Sequence, residues 1–315
     1  MTSYKYDVDR DINPAWEETD AYLSSLFLKS DYALEAALAS HKTEGVPAIN
    51  VSPLQGMMLF QLATMQSQAG HRAINILEVG TLAGYSTIWL ARAAEACGGK
   101  MTTLEYSLKH AELANRNIDR AGLSSVVEII TGDARETMGE LVKQGHKYDF
   151  IFIDADKPGM FFASWKIPSY CDYWKYSLQL SKKGTFIVGD NVVRQGGIAD
   201  PNNHDDRVVG VRNYLEMASR EPNVSTTCLQ CVNGKGWDGF TMSISIDGYL
   251  LKPDGKDIAY SSHVINGILE AYSTTLDTPS RSEHRQSLID GNLGSSPPAL
   301  PTNIPFIHMS TAWGI

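Results

Sequence analysis

Five short apolar runs of strand type recur through the middle of the chain, and a stretch of helical periodicity separates each from the next. The runs lie near 74–79, 101–105, 126–131, 148–154 and 184–190, and the helical patterns near 86–97, 108–121, 134–144 and 161–180. Parallel strands need a long crossover, normally a helix, so this alternation predicts a doubly wound α/β sheet. Upstream, helical patterns run near 15–28, 30–42 and 53–69, broken by Gly45-Val46-Pro47. Pro14 precedes the first, and Leu23, Leu26 and Phe27 recur at helical spacing, which predicts core and lid rather than a separate module. Downstream, a helix near 205–220 precedes two closing strands, 225–232 and 239–246.

In an open parallel sheet the carboxyl ends of the strands face the ligand crevice. The first strand, Ile74 to Val79, runs into Gly80-Thr81-Leu82-Ala83-Gly84-Tyr85-Ser86, followed by an apolar helix from Thr87 to Ala96. The glycines allow a tight turn and close backbone approach to a ligand. Their spacing is not that of the dinucleotide fingerprint, and no Lys-Ser/Thr follows, so a pyrophosphate ligand is disfavoured. Glu105 ends the second strand about 20 residues beyond Gly84, the separation at which an acid reaches a ribose diol. The alternative is an ordinary acid favoured by a helix N-terminus. Asp133, after Gly132, is placed to meet a base edge or to cap the helix starting near Arg135. Together these describe a nucleoside pocket without a phosphate clamp, and S-adenosylmethionine (SAM) is a cofactor of that kind.

Two further groups sit at strand ends: Asp154-Ala155-Asp156-Lys157 and Asp190-Asn191. Carboxylates plus an amide oxygen suit a hard divalent cation such as Mg²⁺. The neighbouring lysine offers a base. Asp at a strand end also caps helices and turns chains, and the alternative for Lys157 is an ion pair with Asp156 or Asp154. The coincidence of both groups with the glycine turn favours the site.

The chain resembles the class I, cation-dependent O-methyltransferases, the family of caffeoyl-CoA and catechol O-methyltransferases. The resemblance rests on Ile76 to Ser86, Leu104-Glu105, Gly132-Asp133-Ala134, Phe152 to Lys157 and Gly189-Asp190-Asn191-Val192. It extends to Ile49 to Gly56 and to Asp238 to Ile244, and covers roughly residues 14 to 246. It departs at Ala83, where a Thr is common, and at Lys157-Pro158-Gly159-Met160, which bears on the substrate loop. The resemblance implies a Rossmann-like, seven-stranded, mostly parallel sheet with an antiparallel edge hairpin. It implies that Asp154, Asp190 and Asn191 hold the cation and that Lys157 lies near the acceptor hydroxyl. By the same resemblance Glu105 holds the ribose, while Glu78, Gly80, Tyr85 and Ser86 line the methionine part. Asp133 and Ala134 flank the adenine, and Val51 meets the cofactor from the N-terminal segment. A homodimer is implied as well. The expected reaction is methyl transfer from SAM to a hydroxyl of a small catechol-type aromatic.

Composition narrows the alternatives. A net charge of −9 with no long basic run argues against a nucleic-acid partner, and so against a tRNA wobble-uridine methyltransferase. The complete Asp154, Lys157, Asp190 and Asn191 set argues against a SAM binder without catalysis. No apolar signal core and no membrane-length apolar run is present, and four cysteines make no disulfide framework. A cytoplasmic protein is expected. Cys228 and Cys231 have zinc or redox spacing but lie in an expected strand, which does not present i and i+3 on one face. The loop 194–206 is expected to be mobile and near the acceptor. Most aromatics between Phe161 and Tyr176 are expected to pack rather than stack on substrate, with Trp165 and Trp237 as candidates for the pocket. Beyond 246 the composition turns rich in Ser, Pro, Gly and Asn, so 1–246 is expected as the catalytic domain and 247–315 as a loosely attached extension. Its three His residues are too widely spaced for a metal site.

Overall fold

The computed structural model describes residues 13–68, 72–155 and 170–246. Asp156, Lys157, Phe161, Phe162, Trp165 and the extension 247–315 lie outside the described residues. Three helices come first: α1 (Pro14–Phe27), α2 (Tyr32–Glu44) and α3 (Pro53–Gln68). Asn13 caps α1 with Pro14 in its first turn, and Asp31 caps α2, whose end is a left-handed Gly45.

Alternation then begins with β1 (Asn75–Val79), α4 (Tyr85–Ala96), β2 (Lys100–Glu105) and α5 (Leu108–Arg120). It continues through β3 (Val127–Thr131), α6 (Ala134–Lys143), β4 (Tyr148–Ile153), α7 (Tyr170–Leu180) and β5 (Ser181–Asp190). After α8 (Asp206–Arg220) the chain closes with β6 (Val224–Asn233) and β7 (Gly236–Ser245). The seven strands form one sheet in the order β3-β2-β1-β4-β5-β7-β6. The first five are parallel, while β7 runs antiparallel to both β5 and β6. This is the expected doubly wound sheet with an antiparallel edge hairpin, reversing its winding between β1 and β4.

The core lies on both faces. Every residue of β4 is buried, as befits a central strand covered by helices on each side. On one face Ile76, Phe150, Phe152 and Val188 join α3 and α4; on the other Leu77, Ile151 and Ile187 join α7 and α8. Gly56 lets α3 settle onto the Trp89 indole, because a Cβ there would come 2.3 Å from its ring nitrogen. Tyr170, Tyr173 and Trp174 are buried, so these aromatics pack as expected. The register of β5 with β7, Asp190 opposite Phe240, puts the β6–β7 turn at the carboxyl end of the sheet.

The loop after β5 departs from expectation. Residues Arg194–Ala199 form a short 3-10 turn with Arg194, Gln195 and Gly196 in left-handed conformations. Asp238 Oδ1 accepts from the Val193 and Arg194 N–H at 2.9 and 3.1 Å. Arg212 donates to the Ile198, Asp200 and Asn203 carbonyls. These bonds satisfy a loop backbone that composition alone marked as free.

Candidate active site

The glycine turn is shaped by backbone contact. Gly80 has φ of 103°, and a Cβ on it would sit 2.2 Å from the Asp154 carbonyl oxygen. Only glycine allows β1 to leave the sheet this close to the tip of β4. Gly84, at φ of 81°, starts α4 without a side-chain cap, so the first N–H groups of that helix have no capping side chain. Tyr85 and Ser86, the first residues of α4, are buried.

Beneath the turn lies Glu78, fully buried on β1. The register sets it beside Thr103 of β2. Its carboxylate accepts from Ser86, Thr87 and Thr103 hydroxyls at 2.7, 2.5 and 2.6 Å. Burial pushes its pKa up to about 7, against the pull of those three hydroxyls. Thr87 and Thr103 were missed by sequence reasoning, although a buried acid requires such donors.

Glu105, at the tip of β2, is buried and accepts from two backbone N–H groups. Leu82 donates to Oε2 and Ser107 to Oε1, each at 2.8 Å. The acid therefore spans the glycine turn and the start of α5, and the His110 ring lies 3.5 Å from its Oε1. Asp133 realises its capping alternative: it accepts from Arg135 N at 2.8 Å and pairs with the Arg135 guanidinium at 2.6 Å. Ala134 is the first residue of α6. Val51 is buried just before α3, in the same core cluster as Tyr85 and Trp89.

The second half of the site joins β4 and β5. Ile153 pairs with Gly189, so the next residues, Asp154 and Asp190, stand side by side. Asn191, at φ of 62°, turns back between them. Its backbone N–H donates to Asp190 Oδ1 at 2.7 Å and its Nδ2 to Asp154 Oδ1 at 3.0 Å. The Tyr170 hydroxyl reaches the Asp190 carbonyl and lies 3.3 Å from that of Ile153, holding the two tips together. Burial pushes Asp190 up to about 7, with the Asp238 carboxylate adding to the rise and Arg194 and Lys235 opposing it.

No three or more His, Cys, Asp or Glu side chains gather into a metal-holding group among the described residues. The donor set at this point is two carboxylates and one amide. Hard oxygen donors around a buried carboxylate whose charge is poorly compensated fit a divalent cation. Lys157 and Asp156 follow directly in sequence, outside the described residues.

The CxxC spacing forms no site. Cys228 opposes Thr241 and Cys231 opposes Asp238 in the hairpin. Burial pushes the Cys231 thiol up to about 11, away from thiolate chemistry. Trp237 stays 36% exposed, donates to Gln230 at 3.0 Å and covers Gly196.

A doubly wound sheet with a phosphate-free nucleoside turn and an oxygen cluster on the next strand defines the class of nucleoside-dependent group-transfer enzymes. The chain belongs to the O-methyltransferase family, whose model matches residues 28–242. It is a SAM-dependent O-methyltransferase. A catechol O-methyltransferase of Niastella koreensis is 45% identical over 74% of this chain and 98% of its own length. The O-methyltransferase of Bacillus cereus, solved with S-adenosylhomocysteine (SAH), is 43% identical with a TM-score of 0.66, covering 73% of this chain and 98% of that one. The O-methyltransferase TomG of Streptomyces achromogenes, solved with SAM, is 35% identical with a TM-score of 0.66, covering 76% and 100%.

Proposed function

We propose that this enzyme methylates one hydroxyl of a small catechol-type aromatic, with a divalent cation held by Asp154, Asp190 and Asn191. The observation that carries the cation is the Asp190 carboxylate, buried at the carboxyl end of the sheet and drawn toward Asp154 through Asn191. The name of the Niastella koreensis relative supports the acceptor class. SAM brings a methyl group that is already electrophilic. A bound divalent cation supplies Lewis-acid stabilisation of a phenolate.

The chain's own residues do the rest. Glu105 accepts from the ribose diol. The first N–H groups of α4, at Tyr85 and Ser86, are placed for a carboxylate. Glu78 puts negative charge under the methionine end. Asp133 and Ala134 flank the adenine, and Val51 covers the cofactor. Lys157, in its neutral amine form, accepts the acceptor's hydroxyl proton. Holding the oxygen and the methyl at near-attack distance supplies much of the rate.

Among the described residues no helix is long and apolar enough to cross a membrane. Leu26 and Phe27, whose spacing suggested core, are instead exposed on α1 with Tyr22, and this apolar face supports a homodimer. The four cysteines are free, which supports a cytoplasmic setting.

The test is transfer from labelled SAM to a catechol panel with Mg²⁺ or EDTA, beside calorimetric titration of Mn²⁺ into wild type and Asp190→Asn. Transfer lost in EDTA, restored by Mg²⁺, with Mn²⁺ heat abolished in the variant, is expected. Transfer indifferent to EDTA would refute the cation role, and transfer only to non-catechol acceptors would refute the acceptor class.

A further inference from the structure

The stretch between α2 and α3 crosses the carboxyl end of the sheet. At its start the Glu44 carbonyl accepts from Lys109 of α5 at 2.7 Å, and the Glu44 carboxylate pairs with Arg116 at 3.3 Å. Val46 then packs with Leu82 and Ala83 of the glycine turn and Leu113 of α5. At the far end the chain meets the other side of the sheet. The Lys235 ammonium, on the β6–β7 turn, donates to the Asn50 carbonyl. Asn50 Nδ2 donates to the Val51 carbonyl at 2.7 Å, and a reciprocal pair links Ser52 with Gln55. Gln55 in turn reaches Cys231 of β6 at 3.6 Å. Residues 44–52 are thus a strap over the glycine turn, tied to α5 at one end and to the edge hairpin at the other.

We propose that Lys235 is a positioning residue that clasps this strap over bound cofactor and thereby sets how fast the spent cofactor leaves. The inference rests on SAM lying at the glycine turn. Between Glu44 and the capping box before α3, the segment forms no regular secondary structure. The bonds named above hold its two ends. The Lys235–Asn50 bond is charge-assisted, hence the strongest tie at the hairpin end; the thiol contact of Gln55 is weak. Opening the strap requires breaking this bond, and closing it places an ammonium at the edge of the crevice.

The experiment compares wild type, Lys235→Met and Lys235→Arg. Calorimetry with SAH measures affinity, stopped-flow measures SAH dissociation, and hydrogen exchange reads residues 46–52 without ligand. Lys235→Met should weaken SAH binding about tenfold, mainly through faster dissociation. It should also raise exchange in 46–52 while leaving the α4 and β4 amides protected. Lys235→Arg, which keeps a cationic donor, should restore both. Unchanged affinity, dissociation and exchange in Lys235→Met would overturn the clasp while wild-type binding of SAH upheld the cofactor site. A wild type that binds no SAH would overturn both. A general rise in exchange across the fold, with Arg failing to rescue, would mark Lys235 as merely structural and overturn the proposal.

Discussion

Glu78→Gln separates what the buried acid costs the fold from what it does for the ligand. In the ligand-free protein burial holds this carboxyl at about 7 rather than its ordinary 4.5. At about 1.4 kcal/mol per unit, ionising it inside the fold costs about 3 kcal/mol. The folded value lies above the unfolded one, so the stabilising contribution is complete below pH 4.5 and is lost as pH rises through about 7. Glutamine cannot ionise, and the hydroxyls of Ser86, Thr87 and Thr103 can turn to accept from its amide, leaving an offset that does not vary with pH. The gap between variant and wild type should therefore grow in the variant's favour, by about 2 kcal/mol between pH ~5.5 and ~8.5. Equilibrium urea denaturation of both proteins across that range reads it directly. A gap that stays constant with pH would refute the reasoning, because the acid would then be ionised or protonated equally in both states. On the proposed placement of Glu78 under the methionine end, the same variant should at pH 8 bind the sulfonium-bearing SAM more weakly relative to neutral-thioether SAH.

His41 is 5% exposed, and neither ring nitrogen makes a well-formed hydrogen bond, although the backbone of Val46 and Pro47 lies beside it. Burial first, then the Lys235 charge, lower its pKa below 6.5. The stability it allows is complete above 6.5 and falls as pH drops toward the folded value, so His41→Phe should flatten the acid limb of a urea-midpoint profile. Asp238→Ala removes the acceptor of the Val193 and Arg194 N–H groups and should cost about 1–3 kcal/mol; limited proteolysis should then cut within 194–204, and resistance equal to wild type would oppose this account. Gly80→Ala drives a Cβ into the Asp154 carbonyl and should cost on the order of 3 kcal/mol or more, with loss of SAH binding by calorimetry.

The sheet was legible because its strands are short, apolar and regularly interrupted; Phe150 to Ile153 could be little other than a central strand. The edge hairpin came through resemblance, since nothing local in Val224 to Ser245 states which strand it joins; the strand order itself was not read from the sequence. Site acids at strand ends were legible for the same topological reason. Their partners were not. Thr103 meets Glu78 only through β1–β2 register, and Lys235 meets Asn50 across a sequence separation of 185. The 194–206 loop misled because Gly, Asn and Asp mark a turn equally well whether or not an Asp238 and an Arg212 are waiting to bind its backbone. Asp133 was ambiguous because capping and base contact ask for the same side chain at the same place.

The missing side chain at Gly80 has a geometric consequence for the reaction. A methyl group and the oxygen that receives it must be registered to a fraction of an ångström. On the proposed reading the donor lies above this turn, which rests directly on the main chain of the strand ending at Asp154, with no rotamer between them to absorb error. The alignment is therefore written in backbone, which cannot relax one residue at a time. Acceptor loops can diverge freely around such a joint, whereas the joint itself admits no variation.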